Sequence, residues 1–163
     1  MKSVAILFFL FCSISINAQD FQKEVNEQVW KPFIEGYNSF DLEKFMSVYS
    51  KNVIRVTLDE KKILSFSEYR KAVNREYQFN KNYNIKAAIE LRFTERIYSA
   101  DKAYERGIYK IKLTDNNGKP ETLFSRFQVV MQKEAGKWKI TFDSDSAEQS
   151  KISEKDFQAA AAM

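Results

Sequence analysis

After Asn84 the helical spacing of apolar residues stops, and roughly sixty residues run on in strand-like alternation broken only by short turns. The strands IELRFTERIYS, AYERGIYKIKL, TLFSRFQVVMQ and WKITFDSDS are separated by SADK, DNNGKP and KEAGK. Connections that short join neighbours running in opposite directions, so this half of the chain predicts an antiparallel meander. A chain that puts its helices first and its strands in one later block is α+β; an alternating α/β chain would interleave them.

The first half supplies the helices. Phe21, Val25, Val29, Phe33 and Tyr37 recur every four residues and form one stripe, widened by Trp30 and Ile34. Pro32 interrupts that stripe and predicts a kink or two segments. Asp41 is placed to cap a short helix over Leu42–Tyr49, and NVIRVTLD, rich in β-branched residues, reads as a strand. Ser65 and Glu68 have capping-box spacing at the start of a helix whose stripe is Tyr69, Val73 and Tyr77.

The first eighteen residues have a different character. One lysine, an unbroken apolar run from Val4 to Cys12 and small or polar residues ending at Ala18 describe a secretory signal peptide over 1–18. A lipid anchor on Cys12 competes, but bulky Phe11 precedes the cysteine, which lies inside the apolar run. The expectation is therefore an exported chain, periplasmic or extracellular, with a single domain over 19–146 and no membrane association after cleavage. The tail 147–163, polar and then alanine-rich, receives no role. The net charge of the whole chain is +4, with basic and acidic residues interspersed and no run of five like charges, so a nucleic-acid partner is not expected.

Chemistry is bounded by what is missing. The chain has no histidine, and cleavage after Ala18 would remove its one cysteine. That excludes Ser-His and Cys-His nucleophiles, a histidine base and zinc held by His or Cys. Its four glycines are scattered, so no phosphate cradle is expected, and no cofactor or metal is assigned. Asp143 and Asp145, two apart in the last strand, could be a catalytic pair, a metal site or the wet side of a strand. As a metal site they are poor, lying about 7 Å apart with no further oxygen ligands nearby in sequence.

The order of helix, helix, strand, helix and four long strands ending in GKWKI resembles the nuclear transport factor 2-like superfamily, particularly its SnoaL-like members. The resemblance covers about Val25 to Ser146 and includes FDLEKFMSVYSKNV, AYERGIY with Ala103 and Gly107, and SRFQVVMQKEAGKWKI with Arg126 where an arginine is frequent. It implies a cone, with a curved sheet wrapped round helices and a pocket inside. It also implies that the concave face carries Arg55 and Thr57 on the first strand, Arg126 and Gln128 on the penultimate one, and Thr141, Asp143 and Asp145 on the last. Arg126 and Asp143 would then pair.

Period-two alternation alone puts Phe127, Val129, Met131, Trp138, Ile140 and Phe142 inside instead. The two assignments are reconciled if that apolar face is buried in a homodimer, an arrangement the resemblance also implies. Glu105, alternating with Ala103, Gly107, Tyr109 and Ile111, is a further pocket candidate or an ion-pair partner of Arg92 or Arg96. Phe33, Tyr37 and Tyr109 belong to the core, with some of them walling the pocket. In the ketosteroid isomerases of this superfamily, the base and the two oxyanion groups fall at positions held here by Thr57, Phe33 and Gln128, so all three roles are unfilled. The leading expectation is an exported binder of an unknown small molecule. An isomerase, dehydratase or hydrolase using Asp143, Asp59 or Glu105, and a protein-interaction module, are the alternatives.

Overall fold

A computed structural model describes residues 18–163. The expected leader falls outside them up to its last residue, and so does Cys12. Helices α1 (Ala18–Val25) and α2 (Lys31–Ser39) are joined without a break by a π-helical turn over Asn26–Trp30. The wide turn is the answer to Pro32, which has no N–H to donate back along the helix. The carbonyl of Asn26 accepts from Lys31 N–H, one residue further on than in an α-helix. The stripe Phe21, Val25 and Val29 stays on one buried face across it.

Phe40 ends α2 in the left-handed region at φ 53°. Asp41 then caps α3 (Leu42–Met46), accepting from Lys44 N–H at 3.0 Å. This helix is shorter than its sequence suggests: Tyr49 is already in β1 (Tyr49–Thr57). After β2 (Lys62–Leu64), the capping box of Ser65 and Glu68 opens α4 (Phe66–Asn82). The meander follows as β3 (Lys86–Tyr98), β4 (Lys102–Thr114), β5 (Pro120–Glu134) and β6 (Lys137–Ser146). The sheet order is β2-β1-β6-β5-β4-β3-β7, antiparallel except where β1 runs beside β6. The fold is thus α+β, with the helices held in the concave face of a curved sheet.

A bulge in β6 settles which side of the last hairpin faces the helices. Met131 pairs with Ile140, but Val130 pairs with Phe142 and Val129 with Asp143, so one residue at Thr141 has no counterpart. Alternation therefore changes phase, and Ile140, Asp143 and Asp145 all point inward. The result corrects both readings of the strand. Phe127, Val129, Met131, Trp138 and Ile140 are buried core beneath the helices, as alternation alone has them, so they form no convex dimer surface, whereas Phe142, beyond the bulge, is half-buried beside Val130 on the outer face. Arg126 and Gln128 lie on the outer face, opposite Ser146 and Ser144, and Thr141 is the bulged residue itself. At the other side of the sheet, Gly107 lets β4 approach a second bulge in β3, because a Cβ there would lie 1.9 Å from the carbonyl oxygen of Arg92.

The chain beyond Ser146 is a folded part of the molecule. A short 3-10 turn (Glu148–Ser150) leads to α5 (Glu154–Ala159) and β7 (Ala161–Ala162), which adds to the edge of β3. Phe157 and Ile152 are buried on the outer sheet face against Ile108 and Phe124, forming a second, smaller apolar cluster.

Candidate functional site

Between α2, α4 and the concave sheet lies a cavity of about 860 Å³. Trp30, Phe33, Tyr37 and Phe45 line it from the helices, and Ile89, Leu91, Phe127 and Val129 from the sheet. Its wall is apolar because both the 3.6-residue stripe of the helices and the inward alternation of the strands end there.

One end is polar, and it is built where β1 and β6 run parallel. Their register sets Arg55 beside Asp143 and Thr57 beside Asp145. The Arg55 guanidinium lies between the two carboxylates, with Nη2 2.6 Å from Asp145 Oδ2 and Nη1 3.5 Å from Asp143 Oδ1. Nη1 also donates to the Val56 carbonyl at 3.0 Å. Tyr49 donates to Asp143 Oδ2 at 3.0 Å, and Tyr109 donates to Asp145 Oδ2 at 2.7 Å. Tyr69, from α4, places its hydroxyl 3.4 Å from that of Tyr49, and its ring centroid lies 5.2 Å from the Arg55 guanidinium carbon.

The electrostatics follow from burial. The Arg55, Asp143 and Asp145 side chains are only 7, 10 and 20% exposed. Burial pushes the Asp143 carboxyl above the usual aspartate range; Arg55 opposes this and Asp145 adds to it. Burial also acts against the Arg55 charge, but Asp143 and its neighbours outweigh it and hold the guanidinium protonated. The hydroxyls of Tyr49 and Tyr109 are raised by burial and by the adjacent aspartates, so both are donors at neutral pH. Glu76, an exposed residue that lines the cavity, is raised by desolvation and then by the charge of Asp145.

Three buried polar atoms around the cavity have no partner among the described residues: Arg55 Nε, Thr57 Oγ1 and the Tyr77 hydroxyl. Each can donate a hydrogen bond. The carboxylate oxygens of Asp143, by contrast, are already engaged.

The pocket residues expected from sequence divide clearly. Phe33, Tyr37, Arg55, Thr57, Tyr109 and Asp143 line the cavity. Arg126 does not: the β5–β6 register keeps it from Asp143, and it pairs instead with Glu148 at 2.8 Å on the outer face. Gln128 is exposed there, and Thr141 donates to the Val130 carbonyl at 3.2 Å. Glu105 is fully buried but away from the cavity, accepting from Trp30 Nε1 at 2.5 Å, Arg96 Nε at 2.9 Å and the Tyr98 hydroxyl. It ties the π turn to the sheet. Asp59 holds the end of β6 through Ser146 and the Ala147 N–H. Tyr49, Tyr69 and Tyr77 were absent from the sequence candidates. The latter two were visible only as members of a helical stripe, and Tyr49 only as part of a helix. Among the described residues, no three of Asp, Glu, Cys and His gather as a metal site.

A curved, mainly antiparallel sheet closed over N-terminal helices around such a cavity is the nuclear transport factor 2-like fold. Solved structures bear this out. A conserved protein from Planctomyces limnophilus superposes with a TM-score of 0.66 at 18% identity, over 77% of this chain and 94% of its own. An NTF-2-like protein of unknown function from Shewanella oneidensis gives 0.59 at 21% identity, over 77% and 98%. A ketosteroid isomerase-like protein from Erwinia carotovora gives 0.55 at 15% identity, over 76% and 95%. No protein-family model and no curated protein matches the sequence. Likeness at these identities establishes the fold, and activity has to be read from the site.

Proposed function

We propose that the protein is an exported binder of a small, neutral and largely apolar molecule that carries a hydrogen-bond acceptor such as a carbonyl oxygen. The observation that carries this reading is the cavity itself: apolar walls converge on one polar end, where Arg55 Nε and Thr57 Oγ1 lack acceptors, and the Tyr77 hydroxyl on the α4 wall lacks one too. Leaving such donors buried and unmet is costly, so a ligand that supplies an acceptor gains the difference. An anionic head is disfavoured at that end, because Asp143 and Asp145 already share Arg55. Catalysis is the weaker reading. Asp143 is the carboxyl best placed for it, but Tyr49 and Arg55 occupy both its oxygens. The positions matched to ketosteroid isomerase chemistry hold Thr57, Phe33 and an outward-facing Gln128. Export rests on the leader pattern alone.

The test compares three probes of one chain length: 2-octanone, octanoate and octylamine, titrated calorimetrically. The ketone is expected to bind most tightly. Thr57→Val should weaken the ketone by about fivefold, the worth of one hydrogen bond near 1 kcal/mol. Tighter binding of octanoate, or ketone binding unchanged in Thr57→Val and Tyr77→Phe alike, would remove the basis for an acceptor-bearing ligand.

A further inference from the structure

We infer that the C-terminal strap, residues 147–163, docks on a second copy of this chain as well as on its own, so that the protein forms a strap-exchanged dimer through its outer sheet face. The surface beneath the strap is a built recognition site. Phe157 is fully buried over Ile108, with its ring centroid 6.1 Å from that of Phe124. Two cations flank the ring: Lys110 Nζ lies 4.5 Å from its centroid and the Arg92 guanidinium carbon 5.1 Å. Lys110 also meets Glu154 at 3.4 Å, and Arg92 Nη1 donates to the Ala160 carbonyl at 3.2 Å. Beyond these contacts, Ala161 and Ala162 pair with Phe93 and Arg92 at the sheet edge. An aromatic anchor, an acidic partner for a buried lysine and an added strand are all features that a second copy reproduces.

The hinge supplies the second, independent reason. Glu148, Gln149 and Ser150 have φ of 49°, 57° and 62°, three consecutive non-glycine residues in the left-handed region. Residues with a Cβ visit that region singly, because each such conformation brings the Cβ close to the following carbonyl. The closed strap therefore folds back through a turn that disfavours itself. An extended hinge relieves the turn but would expose Ile108 and Phe124 unless another strap covers them. A reciprocal exchange satisfies both requirements: the contacts of Ile152, Glu154, Phe157 and Ala160 to Ala162 are kept and the left-handed turn is lost, with the hinge's own Glu148–Arg126 pair given up. The surface is distinct from the apolar set of β5 and β6 expected to dimerise from sequence, of which all but Phe142 lie beneath the helices.

Sedimentation velocity over a hundredfold concentration range, with limited proteolysis of the strap, tests the exchange. The wild type is expected to dimerise reversibly with its strap protected. Gln149→Gly, which removes the Cβ conflict in the closed turn, should weaken the dimer by about tenfold, the factor expected for relief of one left-handed residue. Gln149→Pro cannot adopt the closed φ and should shift the protein to dimer with the strap still protected. Phe157→Ala placed on Gln149→Pro should return it to monomer. A Gln149→Pro protein that is monomeric at every concentration overturns the proposal, whether its strap is protected or cleaved. So does an association that Phe157→Ala does not reverse.

Discussion

At the residue scale, the arginine at the polar end does more than either aspartate. Removing one member of a buried charge group leaves the rest uncompensated, a loss of about 3–5 kcal/mol. Arg55→Met would leave Asp143 and Asp145 facing each other with no cation between them and should destabilise by that amount at neutral pH. Asp143→Asn should cost less, because Asp145 still holds Arg55 at 2.6 Å. The pH dependence distinguishes the two further. The Asp143 carboxyl is raised above its ordinary value near 3.8, so the folded state holds its proton where the unfolded chain has lost it. Wild-type stability relative to Asp143→Asn should therefore rise as pH falls through that window, and the penalty of Arg55→Met should shrink as Asp143 protonates. Urea unfolding of the three proteins at neutral and mildly acidic pH measures both. A difference between wild type and Asp143→Asn that does not change with pH would mean that this carboxyl keeps its ordinary titration.

At the scale of elements, the extra residue at Thr141 decides which side chains reach the cavity. Deleting one residue from a strand normally turns every later side chain to the opposite face. Deleting Thr141 should not, because it is the residue without a counterpart: Val129 would still meet Asp143, and Phe127 would still meet Asp145. Deleting Ser144 should swing Asp145 outward and break its contact with Arg55. The first variant is expected to remain folded with a loss of about 1–3 kcal/mol, as for other local misfits of packing. The second should lose about 3–5 kcal/mol, as for a broken buried pair. Near-equal losses in chemical denaturation would mean that the bulge does not set the phase of β6. The same bulge explains why the strand's two readings conflicted in sequence. Trp138 and Ile140 on one side of it, and Asp143 and Asp145 on the other, point the same way although they are of opposite parity.

At the scale of the whole molecule, export is the proposal that the leader carries. If cleavage follows Ala18, intact mass of the secreted protein should place Gln19 first and find no thiol; retention of Cys12 would refute it. The helical stripe of Phe21, Val25 and Val29, the Asp41 cap, the Ser65–Glu68 capping box and the four-stranded meander were all legible in the sequence. Each depends on residues within a few positions of one another, and such interactions act before distant segments meet. The α+β class follows from the order in which those local signals occur. The parallel register of β1 against β6, the choice of Arg55 over Arg126 as the partner of Asp143, and the burial of the tail's own Phe157 against the outer sheet face were decided only in the tertiary structure. Each depends on which segments, far apart in sequence, come to lie side by side. A single unpaired residue shifts that alignment without changing the local pattern of hydrophobic and polar side chains.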